Sequence, residues 1–164
     1  MRIVFPLLAA ALLACGGSSD PVPSADGEPN DTLGQATALT LGTPVVATIS
    51  APSTPSTTPN PPTPGDVDYY WFTVPPGGAT VRFQTFDQGG VACDPVNEMV
   101  DTYVNVYDTA GSLVTWVDDG FAPYCEDFTV ALAAGKNYVA IGGWPPASPN
   151  PWAPFTYTLK VTIP

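Results

Sequence analysis

The sequence predicts an all-β protein that folds as an antiparallel β-sandwich of seven to eight strands. Short segments alternate apolar and polar residues with a period of two, and turn residues interrupt them about every eight to twelve positions. No stretch shows the 3.6-residue period of an amphipathic helix. About 135 patterned residues suffice for one hydrophobic core, so we expect a single domain.

Residues 65–74, GDVDYYWFTV, are predicted to form the central strand. Tyr70, Phe72 and Val74 share one parity, while Trp71 lies on the other. Large side chains on both faces are typical of a strand that is covered from both sides. The Pro-Pro-Gly-Gly sequence that follows ends the strand, because proline donates no ladder hydrogen bond and glycine turns readily.

The other predicted strands follow the same alternation. The last one has the clearest pattern, with Tyr157, Leu159, Val161 and Ile163 on the inner face. A Gly-containing turn, Asp-Thr-Ala-Gly-Ser, is expected to close a hairpin between two of them. In chain order, the remaining strands are predicted at residues 44–50, 80–86, 100–107, 113–117, 125–132, 138–141 and 155–163.

Three segments are expected to lie outside the sheets. Residues 32–41 contain few large apolar side chains and are predicted to form one loose turn. Residues 51–64 are rich in Pro, Ser and Thr, and residues 142–154 are rich in Pro. Because proline-rich sequence cannot pair as a strand, both are predicted to be extended surface loops.

The N-terminal residues 1–14 are expected to be a secretory signal peptide, with a charged start and an apolar run too short to span a bilayer. The Leu-Leu-Ala-Cys sequence ending at Cys15 resembles the bacterial lipobox, in which the cysteine carries the lipid after cleavage. An ordinary signal peptide is the alternative. Residues 15–27 would then be the lipidated cysteine and a flexible tether, and residues 28–164 the folded domain.

Cys93 and Cys125 are the remaining cysteines, and an even pair in an exported protein is predicted to form a disulfide. The bridge would close a loop of about 30 residues and contribute roughly 3–4 kcal/mol in the chain-entropy model. A metal–thiolate site is the weaker alternative, because the sequence contains no histidine and no C-x-x-C motif.

The chain is strongly acidic, with a net charge of -11 at pH 7. Removing the signal peptide would also remove Arg2, leaving three cationic residues against 15 acidic ones. This sign disfavours nucleic acid and anionic lipid headgroups as partners. Cations and neutral polymers are therefore the expected partners, with solubility alone as the alternative explanation of the charge.

Five segments in order resemble the bacterial pre-peptidase C-terminal domain family. The segments are EPND at 28–31, GDVDYYWFTVPPG at 65–77, VNVYD at 104–108, GKNYVAI at 135–141 and YTLKV at 157–161. The resemblance implies a jelly-roll-like β-sandwich, usually appended to secreted proteases and similar to the collagen-binding domains of clostridial collagenases. No protease domain accompanies the module here, so a role in secreting an attached enzyme is not expected.

The resemblance also implies a Ca2+ site between the N-terminal segment and the start of the central strand. Its implied ligands are Glu28, Asn30, Asp31, Asp66 and Asp68. Ca2+ takes six to eight hard oxygen ligands, which these side chains would supply together with a carbonyl or water. The alternative is that Asp31 caps a turn, while Asp66 and Asp68 stand at the end of a strand in solvent.

A second acidic group, Asp118, Asp119, Glu126 and Asp127, is expected to be a solvated rim. A metal-ligand role and a glycosidase-type carboxylate pair are weaker alternatives. No enzyme is expected and no catalytic residue is assigned. The chain has no histidine for a nucleophile–base pair and no Gly-rich phosphate loop before a helix.

Five aromatic residues are candidates for an outward-facing ligand surface: Trp71, Tyr103, Trp116, Tyr138 and Trp144. Exposed rings on one sheet face could stack on sugars or pack on polypeptide, whereas buried rings would leave a structural role. We therefore expect a non-catalytic, Ca2+-stabilised module, held by a lipid anchor in the bacterial outer membrane, that binds an extracellular polysaccharide or protein. The alternative is a structural envelope lipoprotein without a specific ligand.

Overall fold

The structure is a computed structural model of the full chain, and it describes residues 24–51, 65–87, 100–119, 124–143 and 154–164. The predicted signal peptide and the residues Cys15, Cys93 and Trp144 lie outside these ranges. Every regular element in the described ranges is a β-strand, which confirms the all-β prediction. The same ranges contain no helix long and apolar enough to cross a membrane.

Ten strands form two five-stranded sheets. In chain order they are β1 (Ser24–Ala25), β2 (Thr37–Ala38), β3 (Val45–Ile49), β4 (Val67–Val74), β5 (Ala79–Asp87), β6 (Thr102–Tyr107), β7 (Leu113–Asp118), β8 (Asp127–Leu132), β9 (Gly135–Gly143) and β10 (Phe155–Thr162). The eight strands from β3 to β10 correspond to the predicted ones. The first two contain two residues each and were not predicted.

Sheet A has the strand order β1-β3-β10-β5-β8, and sheet B has the order β2-β4-β9-β6-β7. The eight longer strands pair antiparallel, whereas β1 and β2 pair parallel to β3 and β4. The turn after β4 carries the chain from sheet B to sheet A. Gly77 and Gly78 adopt φ of 98° and 77° there, a region that glycine reaches without steric cost.

The core lies between the two sheets and is formed by the inward-facing residues of both. Phe72 of β4 and Phe83 of β5 meet edge to face across the layers, with ring centroids 5.7 Å apart. Tyr157, Leu159 and Val161 of β10 are fully buried, as predicted. The prediction that Ile163 faces inward is wrong, because β10 ends at Thr162 and the Ile163 side chain is 43% exposed.

Residues 24–38, which we call the strap, cross from one sheet to the other. The strap begins as β1 beside β3 of sheet A and ends as β2 beside β4 of sheet B. The predicted tether therefore ends earlier than expected, since its last residues join a sheet. The segment predicted as a loose turn also contains a strand. In both places an edge strand offers unpaired backbone groups to which a passing extended segment can hydrogen-bond.

The strap also covers part of the outer face of sheet B. Leu33 and Ala36 pack against a small cluster that includes Tyr69 and Tyr107. This second apolar cluster explains why large side chains point to both faces of β4: one set fills the core and the other lies beneath the strap.

Candidate functional site

The strap brings acidic residues to the start of β4. Asp26, Glu28 and Asn30 lie on a short segment of the strap that bends at Glu28, and this bend brings their side chains together. The main-chain N–H of Tyr69 donates to the Asn30 carbonyl oxygen at 2.9 Å and holds the strap against β4. The segment 66–68, far away in sequence, therefore meets the strap at this point.

One carboxylate oxygen from each of Asp26, Glu28 and Asp68 lies within 4.8 Å of the others. Asn30 joins the group, because its Nδ2 donates to Asp26 Oδ1 at 2.7 Å and its main-chain N–H donates to Glu28 Oε2 at 3.2 Å. We call these four residues the strap cluster. It contains three of the five residues implied by the family resemblance.

The other two implied residues differ in their surroundings. Asp66 lies beside the strap cluster, since its charge acts on the three carboxyls there, and its Oδ2 accepts the Ser50 N–H at 2.5 Å. Asp31 is exposed and is not part of the group. Asp26 was missed because it was assigned to the tether. No local pattern in the sequence marked it, because its role depends on the strap meeting β4.

Three buried oxygens of the strap cluster have no hydrogen-bond partner among the described residues: Asp26 Oδ2, Asn30 Oδ1 and Asp68 Oδ1. The Asn30 and Asp68 side chains have no solvent exposure. A buried polar atom without a partner costs about 1–3 kcal/mol. In the described part of the chain, no Lys or Arg forms an ion pair with these carboxylates. The donor set is therefore one that a hard cation could satisfy.

Two buried tyrosines connect the strap cluster to both sheets. Tyr157 of β10 donates to Asp68 Oδ2 at 2.7 Å, and Tyr70 of β4 donates to Asp26 Oδ1 at 3.2 Å. The two hydroxyl oxygens lie 3.1 Å apart. We call this chain of contacts the tyrosine relay. Through it, the strap cluster contacts β10, the middle strand of sheet A.

The strap cluster resists full ionisation. Burial raises the pKa of Asp68 to about 9, and the negative charges of Asp26, Asp66 and Glu28 add to the effect, while the Tyr157 hydrogen bond opposes it. Burial also raises the pKa values of Asp26 and Glu28. A bound cation would reverse this balance, because it favours the charged form of each carboxyl.

The second predicted acidic group is divided by the structure. Asp127 forms a two-point ion pair with Arg82, at 2.6 and 2.7 Å, and this contact lowers the pKa of Asp127. Glu126 is buried, with 1% exposure, so its assignment to a solvated rim was wrong. Its Oε2 accepts hydrogen bonds from the hydroxyls of Thr85, at 2.7 Å, and Thr102.

Asp118 and Asp119 instead approach Asp101, which was not singled out in the sequence. One carboxylate oxygen from each lies within 4.8 Å of the others, and we call the three residues the hairpin cluster. Burial raises the pKa of Asp101 to about 7 and that of Asp118 to about 6, and neighbouring carboxylates contribute to both shifts.

The candidate ligand aromatics lie on the outer face of sheet B. Trp71 and Tyr138 are direct neighbours across β4 and β9, and Lys136 Nζ lies 4.6 Å and 5.1 Å from their ring centroids. Trp116 on the edge strand β7 is 45% exposed. Tyr103 is buried, because its ring lies over Gly142, where an added methyl group would collide with it.

Cys125 is buried and disulfide-bonded. Its predicted partner Cys93 lies outside the described residues, so the pairing of these two cysteines stays a prediction. The lipid attachment at Cys15 and a ligand role for Trp144 stay predictions for the same reason.

No protein-family model matches the chain, and no curated protein matches it. Two solved structures have similar folds. The pre-peptidase C-terminal domain of collagenase from Bacillus anthracis is 13% identical, with a TM-score of 0.50, and the match covers 77% of this chain and 94% of that domain. CorA, a surface-associated copper-binding protein important in copper acquisition in Methylomicrobium album BG8, is 12% identical, with a TM-score of 0.56 and coverages of 79% and 98%. These matches confirm the fold that the resemblance implied.

Proposed function

We propose that the protein is a non-catalytic binding module of the bacterial cell envelope whose strap is held in position by Ca2+. One observation carries the calcium proposal: Asp26, Glu28 and Asn30 of the strap meet Asp68 of β4, with three buried oxygens left unpartnered. Oxygen atoms from two segments far apart in sequence then share one ion. Binding the ion would fix the strap to the sandwich.

The chemistry of the donors favours Ca2+ over a softer metal. The strap cluster supplies carboxylate and amide oxygens, and the sequence contains no histidine to provide a nitrogen ligand. The copper bound by CorA is therefore not expected at this site. Glu28 is exposed, so water can complete the coordination from that side. Calcium sites of extracellular modules bind at about 0.1–1 mM, and we expect an affinity in this range.

The same geometry suggests what the ion does for the fold. The strap contacts sheet A through β1 and sheet B through β2, and the strap cluster lies between these two strands. Each of the two strands contributes two residues of pairing, which is a weak attachment by itself. An ion at the strap cluster would add a strong attachment and would stabilise both sheets through the tyrosine relay.

The ligand surface is proposed on the outer face of sheet B. Trp71, Tyr138 and Trp116 present partly exposed rings there, and flat aromatic surfaces stack on sugar rings and pack on polypeptide. The acidic chain favours a neutral polysaccharide or protein over an anionic ligand. A lipid on Cys15 would hold this face near the cell surface.

A structural envelope lipoprotein without a specific ligand is the second candidate. It is favoured by the burial of Tyr103 and by the strap, which covers part of the outer face of sheet B. The two candidates differ in whether the aromatic face binds a ligand. We expect the double variant Trp71→Ala/Trp116→Ala to lose binding to insoluble polysaccharide or to collagen in a co-sedimentation assay. Retained binding in this variant would exclude the aromatic face, and no binding by the unaltered chain would favour the structural role.

The calcium proposal is tested by isothermal titration of the full chain in detergent, after dialysis against a chelator and then against chelator-free buffer. We expect saturable binding with Kd of about 0.1–1 mM. The matched variant Asp31→Asn should bind like the unaltered chain, because Asp31 is exposed and outside the strap cluster. Absence of saturable binding up to several millimolar Ca2+ would overturn the proposal.

A further inference from the structure

We propose that β7, an edge strand of sheet B, pairs antiparallel with β7 of a second copy of this chain and joins the two sheets B into one. The strap covers one edge of each sheet, since β1 pairs with β3 and β2 pairs with β4. Within the described ranges, β7 pairs with β6 alone and β8 pairs with β5 alone. The edges opposite the strap therefore offer backbone groups for further pairing.

The exposed apolar side chains are concentrated on β7. Val114 is 44% exposed and Trp116 is 45% exposed, and Ile163 is the one other large hydrophobic residue exposed in the described part of the chain. Residues 113–117 of β7, LVTWV, include no charged residue and no proline. Charges and prolines are the usual means by which native edge strands avoid pairing. The composition of β7 is therefore that of a strand that pairs on both sides.

β8, the corresponding edge of sheet A, differs from β7. Its exposed side chains are the small ones of Thr129 and Ala131. Asp127 at its start forms an ion pair with Arg82. Because a charged group and small side chains make an edge a poor template for pairing, β7 is the edge that the comparison selects.

The pattern of β7 is complementary to itself. Val114 and Trp116 are two residues apart and lie on the same face of the strand. In an antiparallel pair centred on Thr115, Val114 of each copy lies opposite Trp116 of the other, and Leu113 lies opposite Val117. Pairs of an aromatic and a β-branched residue are favourable cross-strand neighbours. A second copy therefore supplies the strand that covers both exposed side chains.

The charges of the chain are compatible with this register. Asp118 lies opposite Ser112 of the second copy, so residues 112–118 place no two carboxylates directly across from each other. The net charge of -11 makes two copies repel each other at long range. The attraction must then come from the uncharged strand, and association should strengthen as salt screens the repulsion.

The dimer would present the outer faces of both sheets B on the same side. A two-fold axis perpendicular to the sheet keeps each outer face outward when antiparallel strands pair. Trp71 and Tyr138 lie on β4 and β9, which are away from the junction. The dimer does not depend on the proposed ligand, but it would give a polymer two aromatic faces to bind at once.

The test is sedimentation equilibrium of the full chain in density-matched detergent over a range of protein concentrations. We expect a reversible monomer–dimer equilibrium that shifts towards the dimer when salt is raised from about 50 mM to about 500 mM. Val114→Lys should weaken the dimer roughly tenfold or more, because the lysine enters the symmetric contact twice. Ile163→Lys is the matched control, since it replaces a side chain of similar exposure with the same charge, and it should leave the equilibrium unchanged.

A cross-link tests the register. Thr115→Cys should join two copies under mild oxidation, because directly opposed residues of an antiparallel pair have Cα atoms about 4.5–5.5 Å apart, within reach of a disulfide. Ile163→Cys should cross-link no more than the unaltered chain. A dimer that gives no Thr115→Cys cross-link would overturn the pairing about Thr115.

Three results of the sedimentation experiment would overturn the dimer through β7. The first is a chain that stays monomeric at every concentration, which would leave the edge to a strand of another protein. The second is a dimer weakened equally by Val114→Lys and Ile163→Lys. The third is an association that weakens as salt is raised, because this would indicate ion pairs instead of an uncharged contact.

Discussion

The strap cluster and the hairpin cluster contain similar groups of carboxylates but differ in how they are assembled. The strap cluster joins two distant segments and includes Asp68, which has no solvent exposure. The hairpin cluster joins the two ends of one hairpin, and its three aspartates are all partly or fully exposed. Burial raises the pKa of Asp68 to about 9 but that of Asp118 only to about 6.

Burial, more than the number of charges, therefore decides how strongly a carboxylate group depends on a cation. A half-exposed aspartate can be solvated by water, whereas Asp68 must be protonated, paired or bound to an ion. The strap cluster should therefore show the stronger coupling between cation binding and stability.

The largest effect is expected for Asp68→Asn. At Ca2+ one hundred times its Kd, binding to the folded state contributes about 2.7 kcal/mol to the free energy of unfolding of the unaltered chain. The variant should lose most of this gain, because the amide removes the most buried charged ligand. Urea unfolding with and without Ca2+ measures the difference. Asp31→Asn should keep the full gain, and an equal loss in both variants would remove the distinction between buried and exposed carboxylates.

Tyr157→Phe should have the next largest effect. The change leaves Asp68 Oδ2 without the 2.7 Å hydrogen bond and interrupts the tyrosine relay. We expect the free energy of unfolding to fall by about 1–2 kcal/mol and the Ca2+ affinity at the strap cluster to fall as well. Tyr138→Phe is the control, since that ring is partly exposed and lies away from both clusters. Unchanged affinity in Tyr157→Phe would show that the relay is structural only.

The pH dependence of the chelated protein tests the same comparison without the ion. Burial raises the folded-state pKa values of Asp68 to about 9 and Glu126 to about 8. The stability from their protonated forms is fully present below the unfolded pKa near 4 and is lost as the pH rises through 8 to 9. Unfolding free energies measured from pH 5 to pH 9 should therefore decline without Ca2+.

Ca2+ should reduce the fall in unfolding free energy between pH 5 and pH 9, since the ion favours the ionised carboxylates of the strap cluster. Glu126→Gln should remove the part of the decline that belongs to Glu126. A stability that rises from pH 5 to pH 9 in chelator would contradict the assignment of both buried groups as protonated acids.

The fold was predictable because its strands carry a local pattern. Period-two alternation in β10 and on both faces of β4 depends on neighbouring residues only, and the structure contains these strands as predicted. The strands β1 and β2 were not predicted, because their strand conformation depends on pairing with β3 and β4. Their own residues carry no alternating pattern.

The candidate site was predictable where the segments that resemble a known family contain its residues, and unpredictable elsewhere. Glu28, Asn30 and Asp68 follow from the resemblance, and the structure brings them together. Asp26 was assigned to the tether and Asp101 to the start of a predicted strand, and the roles of both depend on the strap crossing and on the hairpin register. Tertiary contacts of this kind leave no local signal in one sequence.

The most direct test of the calcium-held strap is a thermal melt of the full chain in excess Ca2+ and in excess chelator. Saturating Ca2+ should raise the midpoint by roughly 5–10 °C, which is the shift expected for about 2.7 kcal/mol in a domain of this size. Asp68→Asn should show little or no shift under the same conditions. Superimposable melts of the unaltered chain at this saturating Ca2+ concentration and in chelator would contradict the central claim.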